Sequence, residues 1–408
     1  MTLEKAFRRV ATCKATQRTP RRYLSDYRGA RHLEPETRRI IFSGIQPTGV
    51  PHLGNYLGAL RSWVELQDVS QHGDLNYYCV VDLHALTQPQ DPASLLRWRT
   101  ETFASLLAVG LDPKKSNIFF QSQVVQHTEL MWLLSTIASA GYLSRMTQWK
   151  TKLDLSEDTS MGETKSTQKL KLGLFSYPVL QAADILLYDA THVPIGADQI
   201  QHLEFTRNLA RSFNSQYGKV NSPFIEPEAI LSPAKRIMSL TDPAKKMSKS
   251  DPDANSRILI TDKAEVIYAK IKAAVTDSED GIFYDVETRP GISNLLDILS
   301  HTSQKGLSPM ELAEGCQSLS KKAFKALVAD SVVTCLAGIR ERYESILANP
   351  QIITAAAQRG TNAARLAARV KADRVGEMMG LGPSSYLIGK STREGSSRDV
   401  KDQVQSTS

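Results

Sequence analysis

Ile40-Ile41-Phe42-Ser43-Gly44-Ile45-Gln46-Pro47-Thr48-Gly49-Val50-Pro51-His52-Leu53-Gly54-Asn55-Tyr56-Leu57-Gly58-Ala59-Leu60 changes texture twice along its length. An apolar, β-branched run reaches Gly44, proline and glycine residues interrupt it, and from Asn55 onward Leu57, Leu60 and Val64 take helical spacing. The stretch reads strand, loop, helix. Such a loop is bordered by free backbone N–H groups and by the positive end of a helix dipole, which is how α/β sheets hold nucleotides. Gly44 and Gly54 lack a Cβ and let a base or phosphate approach the backbone. His52 and Asn55 add donors. On this stretch alone, Gly54 as a plain turn glycine and His52 as a surface histidine stay open as readings.

The alternation continues downstream. Asn76-Tyr77-Tyr78-Cys79-Val80-Val81 reads as a second buried strand ending at Asp82 and His84. Asp91-Pro92 opens a helix predicted to run to about Val109, where Gly110 stops it, and Asn117-Ile118-Phe119-Phe120 reads as a third strand. The order β-α-β-α-β predicts an α/β fold with a Rossmann-like parallel sheet and right-handed crossovers. Ligands in such sheets sit at the carboxyl ends of the strands, where residues 44–49 and 82–84 fall. Residues 128–146 have helical spacing. The polar, charged residues 150–169, with Gly162 among them, read as a mobile surface insertion. Helical patterns return over residues 180–187 and 202–213, on either side of a strand, His192-Val193-Pro194-Ile195, closed by Gly196. Residues 222–232, rich in proline and acid, lead into a basic loop.

Beyond about Thr261 strands give way to helices, predicted over residues 263–275, 291–300, 309–349 in one or two pieces, and 352–379. Ser308-Pro309 is a helix start, and Gly380 with Gly382-Pro383 a stop. The chain thus divides into a basic presequence over 1–38, a catalytic α/β domain over 39–260, an all-helical C-terminal domain over 261–383 and a polar, Ser-rich tail over 384–408, expected to be disordered. An arginine-bearing face of Arg359, Arg365, Arg369 and Arg374 suits phosphates as well as it suits solvent.

Composition narrows the class. With 408 residues, 41% hydrophobic and 23% charged, the chain has the make-up of a globular protein of two to three domains. No apolar run approaches the roughly 18 residues of a membrane span, so a membrane partner is not expected. The net charge of +7 favours a polyanionic partner, although part of the excess sits in the presequence. Cys13, Cys79, Cys316 and Cys335 form no Cys-x-x-Cys pair, which argues against a zinc site or disulfide framework, and no metal site is expected. The presequence carries nine arginines through Arg39 against Glu4, Asp26, Glu34 and Glu36, with Ser, Thr and Ala between them and no apolar block. That is the texture of a mitochondrial transit peptide, with a basic arm touching RNA as the competing reading.

A second stretch, Lys245-Lys246-Met247-Ser248-Lys249-Ser250-Asp251-Pro252, is by itself a basic turn. Together, Pro51-His52-Leu53-Gly54-Asn55 and Lys246-Met247-Ser248-Lys249-Ser250 resemble the two signatures of class I aminoacyl-tRNA synthetases, known as HIGH and KMSKS. The resemblance narrows further. Residues 42–49, Val81-Asp82-Leu83-His84-Ala85, Met146-Thr147-Gln148-Trp149-Lys150, residues 182–188 and Asp198-Gln199-Ile200-Gln201-His202 resemble, in order, the tryptophanyl-tRNA synthetases of bacteria and organelles. The likeness spans about residues 38–382.

That resemblance implies activation of L-tryptophan by ATP, accompanied by Mg2+, then transfer to tRNA(Trp) in the mitochondrial matrix by a homodimer. The amino acid is its own nucleophile, so catalysis reduces to alignment and stabilisation of charge. By motif, Gln46, His52, Gly54, Asn55, Lys246, Met247, Ser248 and Lys249 would hold ATP. His52, Asn55, Lys246 and Lys249 would carry the catalysis, joined by Lys150 from the insertion. Phe42 and Gly44 would lie against the indole, Asp184 would accept its N–H, Tyr177 and Gln199 would take the amino group, and His84 would sit beside them. Asp184 interrupts the apolar run Ala182 to Leu187, where an acid needs a partner. Two positions depart from the pattern: Gln181 stands where many relatives have methionine, and Ala197 where an acid is common. A tyrosyl-tRNA synthetase shares the signatures, but Ala182-Ala183-Asp184 with Phe42 favours indole over phenol. A catalytically dead RNA-binding relative is at odds with intact His52, Asn55, Lys246 and Lys249.

Overall fold

β1 (Ile40–Ile45) sends alternate residues into two separate cores, Ile41 to one face and Phe42 to the other, as the pleat requires of a strand covered on both sides. The computed structural model describes residues 38–153, 170–218, 222–231, 236–249, 251–303 and 305–382. Nearly all of the expected presequence, most of the polar insertion and the tail lie outside them. β1 pairs in parallel with β2 (Leu75–Val80) from Ile40 opposite Leu75 to Ile45 opposite Val80. β2 pairs likewise with β3 (Asn117–Phe120), β1 with β4 (His192–Ile195), and β4 with β5 (Glu228–Leu231), giving the order β3-β2-β1-β4-β5. The parallel α/β sheet is therefore as predicted, with one strand more. β5 lies in the segment read as a linker; it is an edge strand with three of four residues exposed, so it lacks any apolar run to announce it.

The helices are α1 (residues 53–68), α2 (Asp82–Ala85), α3 (Pro92–Ala108), α4 (Gln126–Ser135), α5 (Ala140–Arg145), α6 (Gln148–Lys152), α7 (Leu172–Leu186) and α8 (Ile200–Tyr217). Among the described residues after 261 come only helices: α9 (Ala264–Ala273), α10 (Pro290–Thr302), α11 (Pro309–Cys316), α12 (Lys321–Cys335), α13 (Ile339–Ala348) and α14 (Pro350–Met378). α1 and α3 cover one face of the sheet and share their core with α10 to α13, while α4, α7 and α8 cover the other.

Local chemistry accounts for the boundaries. Asp91 caps α3 by accepting from the Ser94 N–H, with Pro92 in the first turn, and Ser308 with Glu311 forms a capping box on α11. The single helix expected over 128–146 is two. Ser135 and Thr136 bond back to the Met131 and Leu133 carbonyls at 2.7 Å each, and Ser139 starts the next helix by capping Tyr142. The expected piece 309–349 is three helices. Lys150 lies on α6 and is only 7% exposed, not on a surface insertion.

α14 leaves the other C-terminal helices and runs along β3 and α4. Its buried face is small, with Ala356, Ala357, Gly360, Ala364, Ala368 and Ala372. Gly360 lies so close to the strand that a Cβ would sit 2.0 Å from the Ile118 carbonyl oxygen. Lys371 pins its far end, reaching the Pro223 carbonyl at 2.6 Å and the Asp189 carboxylate at 2.5 Å. Gly360→Ala is expected to destabilise the protein by about 3 kcal/mol or more, because backbone meets backbone and neither can swing aside. A urea-unfolding midpoint unchanged from the parent would contradict this packing.

Candidate active site

The ladder between β1 and β4 holds one residue pair, Ile41 opposite His192, and then the strands part. Pro194 has no N–H to offer a ladder, and the Ser43 hydroxyl instead donates to the Pro194 carbonyl at 2.9 Å. This is the point where the strand order reverses direction, and the opening holds a cavity of about 340 Å³. Phe42, Gly44 and Gln46 line it from β1, Gly58 and Ala59 from α1, Asp184 from α7, and Gly196 and Gln199 from the end of β4. α1 widens to a π turn over Tyr56–Leu60, the kind of bulge that marks functional sites. A Cβ on Gly58 would meet nothing within 4 Å, whereas one on Gly44 would strike Val81 at 2.7 Å. Gly44 is thus required first by the neighbouring strand.

The residues expected around an indole, Phe42, Gly44, His84, Tyr177, Asp184 and Gln199, all line this cavity. Asp184 is 1% exposed and its two oxygens accept four hydrogen bonds. Gln121 Nε2 bridges them at 2.8 and 2.9 Å, His84 Nε2 reaches Oδ2 at 2.8 Å, and His127 Nδ1 reaches Oδ1 at 2.6 Å. Burial pushes the carboxyl pKa up, but His127 and His84 more than offset this and hold it at about 2. The Tyr177 hydroxyl donates to Gln148 Oε1 at 2.7 Å and meets His202 Nε2 at 2.6 Å. Burial lowers the His202 pKa to about 4, so its neutral ring donates from Nε2 to the phenol oxygen. Gln181 Nε2 approaches Gln199 Oε1 at 3.4 Å, which gives the departure at 181 a polar partner inside the cavity.

The second cluster lies on the loop after β1. His52 caps α1: its Nδ1 accepts from the Asn55 N–H, and the Asn55 side-chain oxygen accepts from the His52 N–H, both at 3.2 Å. The ring folds over Gly54, where a Cβ would meet Cε1 at 3.0 Å. Burial first, then Lys249, Lys246 and Arg257, depress the His52 pKa to about 3. The imidazole is therefore neutral, and with Nδ1 occupied as an acceptor its proton sits on Nε2. Downstream, the Met247 N–H donates to the Ile237 carbonyl at 3.0 Å and Lys246 pairs with Met238, so the basic loop folds back on residues 237–239. Lys249 Nζ then reaches across 200 positions of sequence to the Gly49 carbonyl at 2.9 Å and the Thr48 hydroxyl at 3.0 Å. Burial lowers its pKa to about 8, with Glu101 opposing. Ser250 lies outside the described residues.

His52, Gly54, Asn55, Lys246, Met247, Ser248 and Lys249 are not among the cavity's lining; Gln46, Thr48 and Gly49 connect the two clusters. Lys150 is absent from the lining too. Lys152, two residues on, is present, with its ammonium 4.5 Å from the centre of the Tyr177 ring. The sequence reading missed Lys152, Gln121, His127 and Tyr188. Lys152 follows Lys150 at the start of a polar run, and that run was the available signal; isolated Gln121 and His127 gave none.

The family described as tRNA synthetases class I (W and Y) matches residues 34–337. The chain belongs to that family. The mitochondrial tryptophan–tRNA ligase of Schizosaccharomyces pombe is 45% identical over 338 residues, covering 81% of this chain and 92% of its own length. Tryptophanyl-tRNA synthetase from Mycoplasma pneumoniae superposes with a TM-score of 0.73 at 34% identity, over 85% of this chain and 99% of that one. The Campylobacter jejuni enzyme, solved with ADP and tryptophan, superposes with a TM-score of 0.67 at 31% identity, over 84% of this chain and 100% of its own. Were Lys249 to hold the phosphates of ATP, the substrate of class I synthetases, its environment would have a direct consequence. Its ammonium loses its proton as pH rises through about 8, so ATP affinity measured by calorimetry should fall about tenfold between pH 7.5 and 9.5. Lys249→Arg should flatten that decline, and an equal decline in the variant would assign it to another group.

Proposed function

We propose that the protein activates L-tryptophan with ATP and transfers it to tRNA(Trp) in the mitochondrial matrix. The observation that carries this is the cavity at the β1–β4 opening, walled by Phe42 and ending on an ionised, buried Asp184, beside the loop that Lys249 closes. Phe42 and Gly44 flank the indole, Asp184 and His84 face its N–H, and Tyr177 with Gln199 takes the amino group. The tryptophan carboxylate attacks the α-phosphate of ATP and pyrophosphate leaves. His52 donates from Nε2 to a phosphate oxygen, Asn55 and Gly54 shape the backbone cradle, and Gln46 spans the two substrates. Met247 anchors the loop from its buried position, while Ser248, Lys246 and Lys249 face the departing phosphates. Lys152 brings a further cation from the cavity side, and Lys150 steadies α6 next to it. Mg2+ comes with ATP, and no metal held by the protein is part of the reading. A hydroxyl of the terminal ribose of the tRNA then attacks the acyl carbon of the resulting adenylate, and the bond to phosphate breaks with AMP as the leaving group.

ATP-dependent exchange of labelled pyrophosphate, run with each amino acid in turn, tests the assignment: tryptophan alone should support it, and tyrosine-driven exchange would overturn it. Lys249→Ala should lower the exchange rate by about 10² to 10³, the loss typical of one preorganised charge-stabilising group, with tryptophan binding nearly unchanged. Equal losses in binding and rate would remove Lys249 from the transition state.

The helical region 261–383 reads as the anticodon-binding part, with the exposed Arg359 on its surface. The protein is further read as a homodimer. Trp132 on α4 and Leu366 and Val370 on α14 are 72%, 72% and 66% exposed on two helices packed together, a large apolar area to leave in water. Trp132→Asp should halve the mass seen by sedimentation equilibrium, and an unchanged mass would move the interface elsewhere.

A further inference from the structure

We infer that His127, Tyr188 and Gln121 are positioning residues for substrate selection, holding Asp184 as a charged acceptor with a fixed set of oriented donors. This rests on the tryptophan reading of the cavity and goes beyond it, since none of the three is among the cavity's lining.

Gln121 is oriented first. Its Oε1 accepts from the Leu83 N–H at 3.0 Å, which leaves the amide nitrogen pointing at Asp184. His127 is oriented next. Tyr188 has a burial-raised pKa and stays a phenol, and its hydroxyl meets His127 Nε2 at 2.8 Å. A phenol proton given to Nε2 leaves Nδ1, the atom 2.6 Å from Asp184, as the ring's donor. Tyr188 is itself held between the stacked rings of Phe42 and Tyr77. The indole wall and the acceptor's support are therefore one packed unit.

Asp184 faces His84 from α2, His127 from α4, and Cys79 and Tyr188, whose pKa values are raised first by burial and further by its charge. The histidines are the groups that lower its pKa against burial. With His127 removed, burial regains ground and the carboxyl takes up a proton at a pH where the parent stays ionised. A protonated carboxyl presents a donor where the indole N–H needs an acceptor, so selection fails at low pH and returns as pH rises.

The test compares His127→Leu, which removes the donor, with His127→Asn, whose amide nitrogen can occupy the place of Nδ1. In His127→Leu, KM for tryptophan should rise about tenfold with kcat within about threefold, and kcat/KM should gain an acid limb above pH 5. Preference for tryptophan over its benzothienyl analogue, which lacks the N–H, should fall at least tenfold, and His127→Asn should restore most of it. Titration of the Asp184 carboxyl carbon by NMR, without substrate, should show the same upward shift in His127→Leu. If His127→Leu does not fold, Tyr188→Phe carries the test, with an expected threefold to fivefold loss of the same preference. A wild-type protein that does not activate tryptophan sinks the substrate reading alone, because the carboxyl titration still decides the positioning role. An unshifted titration and an unchanged preference in the variants would overturn the inference.

Discussion

The parting of β1 from β4 after a single pair is the constraint on which the site depends. A parallel sheet that stayed closed there would fill the switch point with ladder bonds and side chains. Pro194 removes a ladder donor, Ser43 ties the strands from its side chain, and the π turn with Gly58 lowers the wall on the α1 side. The β1–β2 ladder, by contrast, continues to Ile45 and Val80, so one side of β1 is rigid while the other opens. Phe42 and Gly44 sit on that boundary, backed by a fixed strand and facing a void.

The same boundary explains how two sequence signatures some 200 residues apart become one site. The loop leaving β1 carries Thr48 and Gly49, and Lys249 docks on both. Burial already disfavours a charged imidazole at His52, and Lys249, Lys246 and Arg257 nearby add to the penalty, so the ring is held neutral. A neutral ring with Nδ1 taken by the helix cap has one proton and one direction for it. Burial and the neighbouring cations therefore keep the ring neutral, and the helix cap selects its tautomer.

Legibility in the sequence followed how local the cause was. The strand-loop-helix at Ile40 to Leu60 and the cap at Asp91-Pro92 are written in neighbouring residues, and both were readable. β5 was not, because an exposed edge strand needs no apolar alternation. The break at Ser135 and Thr136 depends on side chains choosing carbonyls one turn back, which helical spacing does not reveal. Asp184 stood out because an acid in an apolar run needs partners, yet the partners themselves, Gln121 and His127, sit on separate elements more than 50 residues away. Family resemblance supplied the cavity residues Phe42, Tyr177 and Gln199 but not Lys152, whose place over Tyr177 follows from the turn of α6.

α14 joins these levels physically. Thr361 and Arg365 hold Gln123, two residues beyond Gln121, while Lys371 holds Asp189, the residue after Tyr188. Asp189 has φ +52, a backbone that side chains other than glycine adopt sparingly, and the buried ammonium gives its carboxylate a reason to stay there. Both supports of the Asp184 network are thus braced by one helix from the C-terminal part of the chain. Its opposite side exposes Leu366 and Val370. Because Gly360 already brings the helix against the Ile118 carbonyl, an inward push on its outer face cannot be absorbed by moving closer to β3. The exposed outer face of α14 and the contacts that brace the acceptor's supports thus belong to one helix.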